Sequence, residues 1–128
     1  MAITLNFPPV RLTPEVQSLR FEVREFLEQQ RLAGTWERGG GKSWGSFNPE
    51  LSRRIGERGW IGLTWPKQFG GAERSYLERY VYTEELLAAG APAGAHWVAD
   101  RQSGPLFIRF GTDAQRQRYL PPITRGEA

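Results

Sequence analysis

Apolar residues recur at helical spacing in five segments of this chain, with polar residues between them. The first segment covers residues 13–30 and carries one apolar stripe, formed by Val16, Leu19, Val23, Phe26 and Leu27. Spacings of three and four residues place such side chains on one face of an α-helix. Thr13 and Pro14 form a start signal, because threonine caps helix N-termini and proline suits the first helical position. The pattern therefore predicts an amphipathic helix that packs on a core.

The next two segments carry similar boundary signals. The second covers 48–59 and begins with an Asn-Pro pair, and the third covers 75–90. The third opens on Ser75 and Glu78, whose spacing is that of a capping box. Each segment ends at a glycine, the residue that most often follows a helix C-terminus. In the third helix the predicted buried stripe consists of Leu77, Tyr80, Val81, Leu87 and Ala88.

The last two segments complete a helical pattern. The fourth covers 92–111, and Pro105 inside it lacks a backbone donor, so we expect a kink near Gly104. The fifth, 112–122, starts with another capping-box pair. No stretch alternates between apolar and polar residues for long enough to predict a strand. The expected fold is all-α, without a sheet.

The loop between the second and third helices has an unusual composition. Its sequence, GWIGLTWPKQFGG at 59–71, is more apolar than a connector needs to be. Buried tryptophan and phenylalanine contribute large apolar area, and the glycines permit tight backbone paths. We interpret the loop as a plug that packs the second and third helices together. Local packing alone is left as an equal alternative.

Length and composition limit the class of protein. The chain has 128 residues and no cysteine, with a net charge of +3. This length suits one helical domain spanning 1–128. No apolar run approaches the length of a membrane span, and the N-terminus lacks the pattern of a signal peptide. We therefore expect a cytoplasmic protein without a membrane span, although the absence of cysteine only suits that compartment.

Three groups of residues could suggest chemistry, and each has an ordinary explanation. The GGGKS sequence from Gly39 to Ser43 resembles the end of a P-loop, but Trp36 occupies the position of the required first glycine. His96, Asp100 and Ser103 share a helix face, but their order does not permit a hydrolase triad. His96 is instead expected to be a polar residue on the helix surface or partly buried. One histidine without cysteine also supplies too few ligands for a zinc site, so no metal is predicted.

Three clustered arginines raise the question of a phosphate-binding site. Arg53, Arg54 and Arg58 lie close together in the second helix, but Glu50 precedes Arg54 by four residues. That spacing favours an ordinary paired and solvated face. No aromatic residues stand between them for base stacking. We therefore predict no nucleic-acid partner.

The apolar loop and the C-terminal segment together resemble a known family. From Leu12 onward the chain is similar to the N-terminal domain of the acyl-CoA dehydrogenases. The similarity is carried by GWIGLTWPKQFGG, then YTEELL, then GPLFIRFGTDAQRQRYLPPITRGE. The resemblance implies an orthogonal bundle of about five to six helices. It also implies a middle β-domain and a C-terminal four-helix bundle, which are absent from this chain, and a loop 59–71 that lies near the joint with those domains.

The family oxidises acyl-CoA thioesters between the α and β carbons and uses FAD as the hydride acceptor. The resemblance places its carboxylate base and its main flavin contacts in the absent domains. No catalytic or cofactor-binding residue is therefore predicted here, and this chain alone is expected to lack FAD and activity. The implied partners are an acyl-CoA substrate and the absent domains or a partner subunit, in a homo- or hetero-oligomer.

The resemblance also supplies candidate substrate contacts. In the family the fourth helix lines the acyl end of the cavity, and alignment on FGTDAQRQRYL places Gly94, Ala95, Val98 and Gln102 there. Their spacing puts them on one helix face. Three are small or medium apolar residues, which would leave room for a long or bulky acyl chain, and Gln102 could meet an oxygen or a water. The alternative is that this face simply packs on a neighbouring helix.

Two functions remain open at this point. The chain could be part of an acyl-CoA dehydrogenase, or it could be a stand-alone helical interaction module derived from that domain. It ends at ITRGEA, directly after a segment that the family continues into the β-domain. This ending favours the first function.

Overall fold

In the computed structural model, the regular secondary structure of the described residues is helical. The structure describes residues 7–36 and 43–128, so most of the GGGKS motif lies outside the described residues. Within these ranges six α-helices follow one another: α1 (Pro14–Leu32), α2 (Pro49–Glu57), α3 (Tyr76–Ala88), α4 (Gly94–Val98), α5 (Gly104–Phe110) and α6 (Asp113–Thr124). Short 3-10 turns occupy Ser43–Gly45 and Lys67–Phe69, and Ala99–Ser103 form a π-helical turn, here called the π turn. The all-α prediction is confirmed, with no strand in these two ranges.

The predicted helix starts are confirmed by their side-chain caps. Thr13 and Asn48 cap α1 and α2 through their side-chain oxygens. Ser75 at α3 and Thr112 at α6 both form complete capping boxes. These signals depend on four consecutive residues, so the rest of the fold does not disturb them.

The predicted apolar stripe is confirmed on α1 and partly wrong on α3. All five predicted residues of α1 are buried. Of the five residues predicted for α3, Val81 is buried, Leu77 and Leu87 are partly buried, Ala88 is exposed and Tyr80 is 56% exposed. The other buried residues of α3 are Tyr82, Glu85 and Leu86. The cause lies in α1, where Arg24 donates two hydrogen bonds, of 2.9 and 2.8 Å, to the Glu85 carboxylate. This contact turns a charged residue of α3 inward.

The loop 59–71 lies in the centre of the core. Its five large apolar residues are all buried, namely Trp60, Ile61, Leu63, Trp65 and Phe69. They share one cluster with side chains of α1, α2, α3 and α6. The Trp60 ring meets Phe26 of α1 edge-on, with centroids 5.2 Å apart. The predicted plug is therefore buried as expected, and it packs against more helices than α2 and α3.

The predicted fourth helix is divided into α4, the π turn and α5. The irregularity lies at 99–103, just before the position predicted from Pro105. In a regular helix the proline ring would clash with the carbonyl four residues earlier and leave it without a donor. The wider π turn relieves that clash, and the segment from Gly94 to Phe110 continues as helix. It lies beside α6, which itself continues through Pro121 and Pro122 to Thr124.

No helix within residues 7–36 and 43–128 is long and apolar enough to cross a membrane.

Candidate functional site

An open groove separates the α4–π turn–α5 segment from α6. It has a volume of about 420 Å³. Its lining includes Ala95, Val98, Ala99, Ser103, Phe107 and Tyr119. Small side chains of α4 and the π turn thus form one wall of the groove, and the larger rings of Phe107 and Tyr119 form another part of its lining.

Two stacked rings stiffen the aromatic part of this groove. Phe107 of α5 and Tyr119 of α6 lie with centroids 5.0 Å apart and planes 24° apart. The guanidinium of Arg118 lies 5.4 Å from the centroid of the Tyr119 ring. Arg118 also lines the groove. The site therefore combines an apolar surface with one positive charge near its aromatic side.

The structure places two of the four predicted substrate contacts in the groove lining. Ala95 and Val98 line it, and Val98 is 52% exposed. Gly94 and Gln102 are not among its lining residues. Ser103 lines it instead of Gln102, because each backbone hydrogen bond of a π turn spans five residues, whereas each one in an α-helix spans four. The substrate role of all four residues stays a prediction.

Gly94 has a clear packing role. Its backbone N–H donates to the carbonyl of Ser46, at 3.1 Å. A Cβ at this position would overlap the carbonyl oxygen of Trp44. The start of α4 therefore rests directly on the segment that contains the Ser43–Gly45 turn, and only glycine permits that approach.

Sequence reasoning missed the half of the groove that α5 and α6 provide. Phe107, Arg118 and Tyr119 belong to segments predicted as helices, but none was singled out. The available signal was the apolar residues of 106–110 together with Tyr119, a large ring in a segment that has few other apolar residues.

The opposite face of the same segment is buried and polar. His96 is 8% exposed, so it is buried more deeply than predicted. Its Nε2 lies 2.9 Å from Ser52 Oγ of α2, and neither Asp100 nor Ser103 hydrogen-bonds to it in the described part of the chain. Burial lowers the pKa of His96 to about 4 and raises the pKa of Asp100. The three residues therefore do not assemble as a triad.

Arg54 of α2 and Arg58, the C-cap residue of that helix, make contacts within the chain. Arg54 pairs with Glu50, as the four-residue spacing predicts, and also donates to Gln30 of α1 at 2.7 Å. Arg58 lies over the Phe26 ring, 5.2 Å from its centroid. The interpretation of this helix face as paired is confirmed for Arg54. Elsewhere in the chain, as far as the structure describes it, no three His, Asp or Glu side chains gather as metal ligands would.

Comparisons with known proteins agree on one family. The family profile described as "Acyl-CoA dehydrogenase, N-terminal domain" matches residues 13–127. Acyl-CoA dehydrogenase FadE26 of Mycobacterium tuberculosis is 30% identical over 122 residues, which are 92% of this chain and 30% of that protein.

Solved structures give the same result. The structure titled "Tcur3481-Tcur3483 steroid ACAD" is similar with a TM-score of 0.69 and 32% identity, over 91% of this chain and 30% of that chain. The ChsE4-ChsE5 complex from Mycobacterium tuberculosis is similar with a TM-score of 0.72 and 28% identity, over 94% of this chain and 30% of that chain. The chain spans about 30% of the length of these relatives. It belongs to the acyl-CoA dehydrogenase family, and the part of the family that it matches is the N-terminal helical domain.

Proposed function

We propose that this chain is the N-terminal domain of a FAD-dependent acyl-CoA dehydrogenase and that its groove forms part of the wall around the acyl chain. Such an enzyme removes two hydrogens from the α and β carbons of the thioester. The observation that carries the proposal is the open apolar groove beside Ala95 and Val98, in a chain that matches the family domain over residues 13–127.

The chemistry of the groove suits an acyl chain. Its volume of about 420 Å³ lies within the usual range for small-molecule pockets. Methyl and isopropyl groups of Ala95, Ala99 and Val98 face it from one side, and the Phe107 and Tyr119 rings complete it. An apolar substrate gains most of its binding free energy from burial against such surfaces.

Small side chains on the helical wall favour a bulky or long acyl group. Ala95 and Ala99 leave space that larger residues would fill. A solved relative carries the words "steroid ACAD" in its title, which is consistent with this choice. Gly94 and Gln102, which flank the lining residues, would act at the edges of the wall, with Gln102 meeting an oxygen or a water.

The groove does not fit the flavin itself. FAD carries two phosphates and a polyhydroxyl chain, which call for several N–H donors or positive charges. Among the described residues that line the groove, Arg118 supplies the one charged side chain. We therefore assign no residue of this chain to FAD and derive no chemical step from it. In the proposal the flavin site and the base belong to the middle and C-terminal domains of the longer enzyme.

We further propose that this domain works within an oligomer. The two solved relatives named above are titled as pairs of different proteins, which supports a homo- or hetero-oligomeric enzyme. A cytoplasmic location remains a prediction from the sequence.

The function is tested with a protein in which this chain is joined to the family's two further domains. Anaerobic addition of acyl-CoA thioesters, from butyryl-CoA to a steroid side-chain thioester, should bleach the flavin absorbance and yield the α,β-unsaturated product. A flavin-loaded protein that oxidises none of them would contradict the proposal and favour a stand-alone interaction module.

A further inference from the structure

A small cavity lies between α3, α4 and the π turn. Its volume is about 20 Å³, and its lining includes Tyr82 of α3, His96 of α4 and Asp100 of the π turn. A space of this size holds one water molecule if two to four polar groups surround it.

Each of these three lining residues has one polar side-chain atom without a protein partner. These atoms are the Tyr82 hydroxyl, His96 Nδ1 and Asp100 Oδ1, each buried from solvent. Tyr82 and Asp100 are each 2% exposed and His96 is 8% exposed. Buried polar groups in folded proteins are nearly always satisfied by protein or by ordered water, because an unpaired group loses its hydration without compensation. Three residues that line one cavity and each carry such an atom point to a site for a polar ligand.

We infer that this cavity holds one ordered water molecule, which bridges the Tyr82 hydroxyl, Asp100 Oδ1 and His96 Nδ1. The water accepts a hydrogen bond from the Tyr82 hydroxyl and donates one to Asp100 Oδ1 and one to His96 Nδ1. This arrangement uses both protons of the water and satisfies all three orphaned atoms.

The other contacts of these residues are consistent with that arrangement. With its pKa lowered to about 4 by burial, His96 is neutral at pH 7 and carries one proton on its ring. If Nε2 holds that proton, it donates to Ser52 Oγ at 2.9 Å, and Nδ1 is left as an acceptor. A hydrogen bond from the backbone of Gly62 also acts on Asp100 and opposes the effect of burial on its pKa.

The bridge would join the π turn to α3 on the side opposite the groove. Asp100 and His96 face the cavity, whereas Ala95, Ala99 and Ser103 of the same segment line the groove. The water would thus fix the inner face of the segment whose outer face forms the groove wall. It is independent of the proposed function, because it depends only on contacts within this chain.

Nitrogen NMR of the histidine ring tests the bridge directly. The sequence contains one histidine, so its ring signals need no assignment among several. We expect an unprotonated Nδ1 and a protonated Nε2, and a water cross-peak to the protons around the cavity. A protonated Nδ1, or the absence of any such cross-peak in the folded chain, would overturn the inference.

A matched pair of variants supplies the control. Tyr82→Phe removes one partner of the water but keeps the ring that packs near Trp60, whereas Tyr76→Phe removes a hydroxyl from a side chain that is 72% exposed. Tyr82→Phe should shift the Nδ1 resonance and make amide exchange in the π turn about tenfold faster, as for one lost hydrogen bond. Tyr76→Phe should change neither. Equal spectra and exchange rates in the two variants would contradict the bridge.

A crystal structure of the chain at a resolution that shows ordered water gives a second test. Density for one water within hydrogen-bond distance of all three atoms is expected. An empty cavity, or a direct hydrogen bond between two of the three side chains, would contradict the inference.

Discussion

The indole ring of Trp65 lies directly against the Cα atom of Gly104. A Cβ added at Gly104 would overlap ring carbons Cζ2 and Cη2. Trp65 comes from the apolar loop and is 3% exposed, and Gly104 begins α5. The loop therefore sets the position of the segment that forms the groove wall, which gives its unusual composition a structural purpose.

Gly104→Ala should destabilise the chain. The added methyl group has no space beside the indole, so the core must shift, which typically costs about 1–3 kcal/mol. Chemical denaturation measures the change in free energy of unfolding. Gly45→Ala is the control, because a Cβ there meets nothing within 4 Å. An equal effect of the two substitutions would contradict the contact.

Trp65→Ala should destabilise more strongly, by about 3–5 kcal/mol, since it removes a large buried side chain and leaves a cavity. Trp44→Ala should cost less, because Trp44 is 47% exposed. The double variant that carries both Trp65→Ala and Gly104→Ala tests whether the two residues are in contact. With the indole removed, the alanine at 104 has space, so its cost should largely disappear, whereas additive costs would mean that the two residues do not touch.

The free energy of unfolding should fall as the pH drops from about 6.5 to about 4 because of His96. Its pKa is about 4 in the folded chain and near 6.5 when unfolded, so in this window only the unfolded chain binds the proton. The loss is on the order of 3 kcal/mol at 1.36 kcal/mol per pKa unit.

Asp100 has the opposite effect on the free energy of unfolding. As the pH falls below its raised pKa, the folded chain binds the proton more readily than the unfolded chain does, so the folded state gains stability. A comparison with His96→Gln over the same pH range isolates the histidine. The variant should lose most of the slope. An unchanged slope would show that His96 is not buried as described.

The 128-residue chain purified alone should not bind FAD in stoichiometric amount. Its groove is mostly apolar and offers one charged side chain among its described lining residues. The test is to incubate the chain with FAD, separate it by gel filtration and measure the flavin absorbance of the protein peak. Stoichiometric flavin in that peak would show that this domain holds a cofactor site of its own.

Local sequence signals predict the structure correctly wherever neighbouring residues alone decide it. The capping residues Thr13, Asn48, Ser75 and Thr112 all start helices where expected. The inward face of α3 could not be predicted in this way. There Glu85 is buried because Arg24, 61 residues earlier, holds its carboxylate.

The groove could be predicted from the sequence only in part. Helical spacing placed Ala95 and Val98 on one face, and both line the groove. The π turn then moved Ser103 into the lining and left Gln102 outside, which an ideal helical period cannot anticipate. The part contributed by α6 depends on tertiary packing, which the pattern along one helix does not contain.

The most direct test of the acyl wall is Ala95→Phe in the longer enzyme that contains this domain. The added ring should fill the groove, so kcat/KM for long or polycyclic acyl-CoAs should fall at least about tenfold, the effect of about 1.4 kcal/mol. Short acyl-CoAs should react nearly as before, because they would not reach this wall. Ala114→Phe is the control, since Ala114 is exposed on α6 and does not line the groove. If Ala95→Phe lowers kcat/KM of the folded enzyme equally for every acyl chain length, or does not lower it, this groove is not the wall of the acyl pocket.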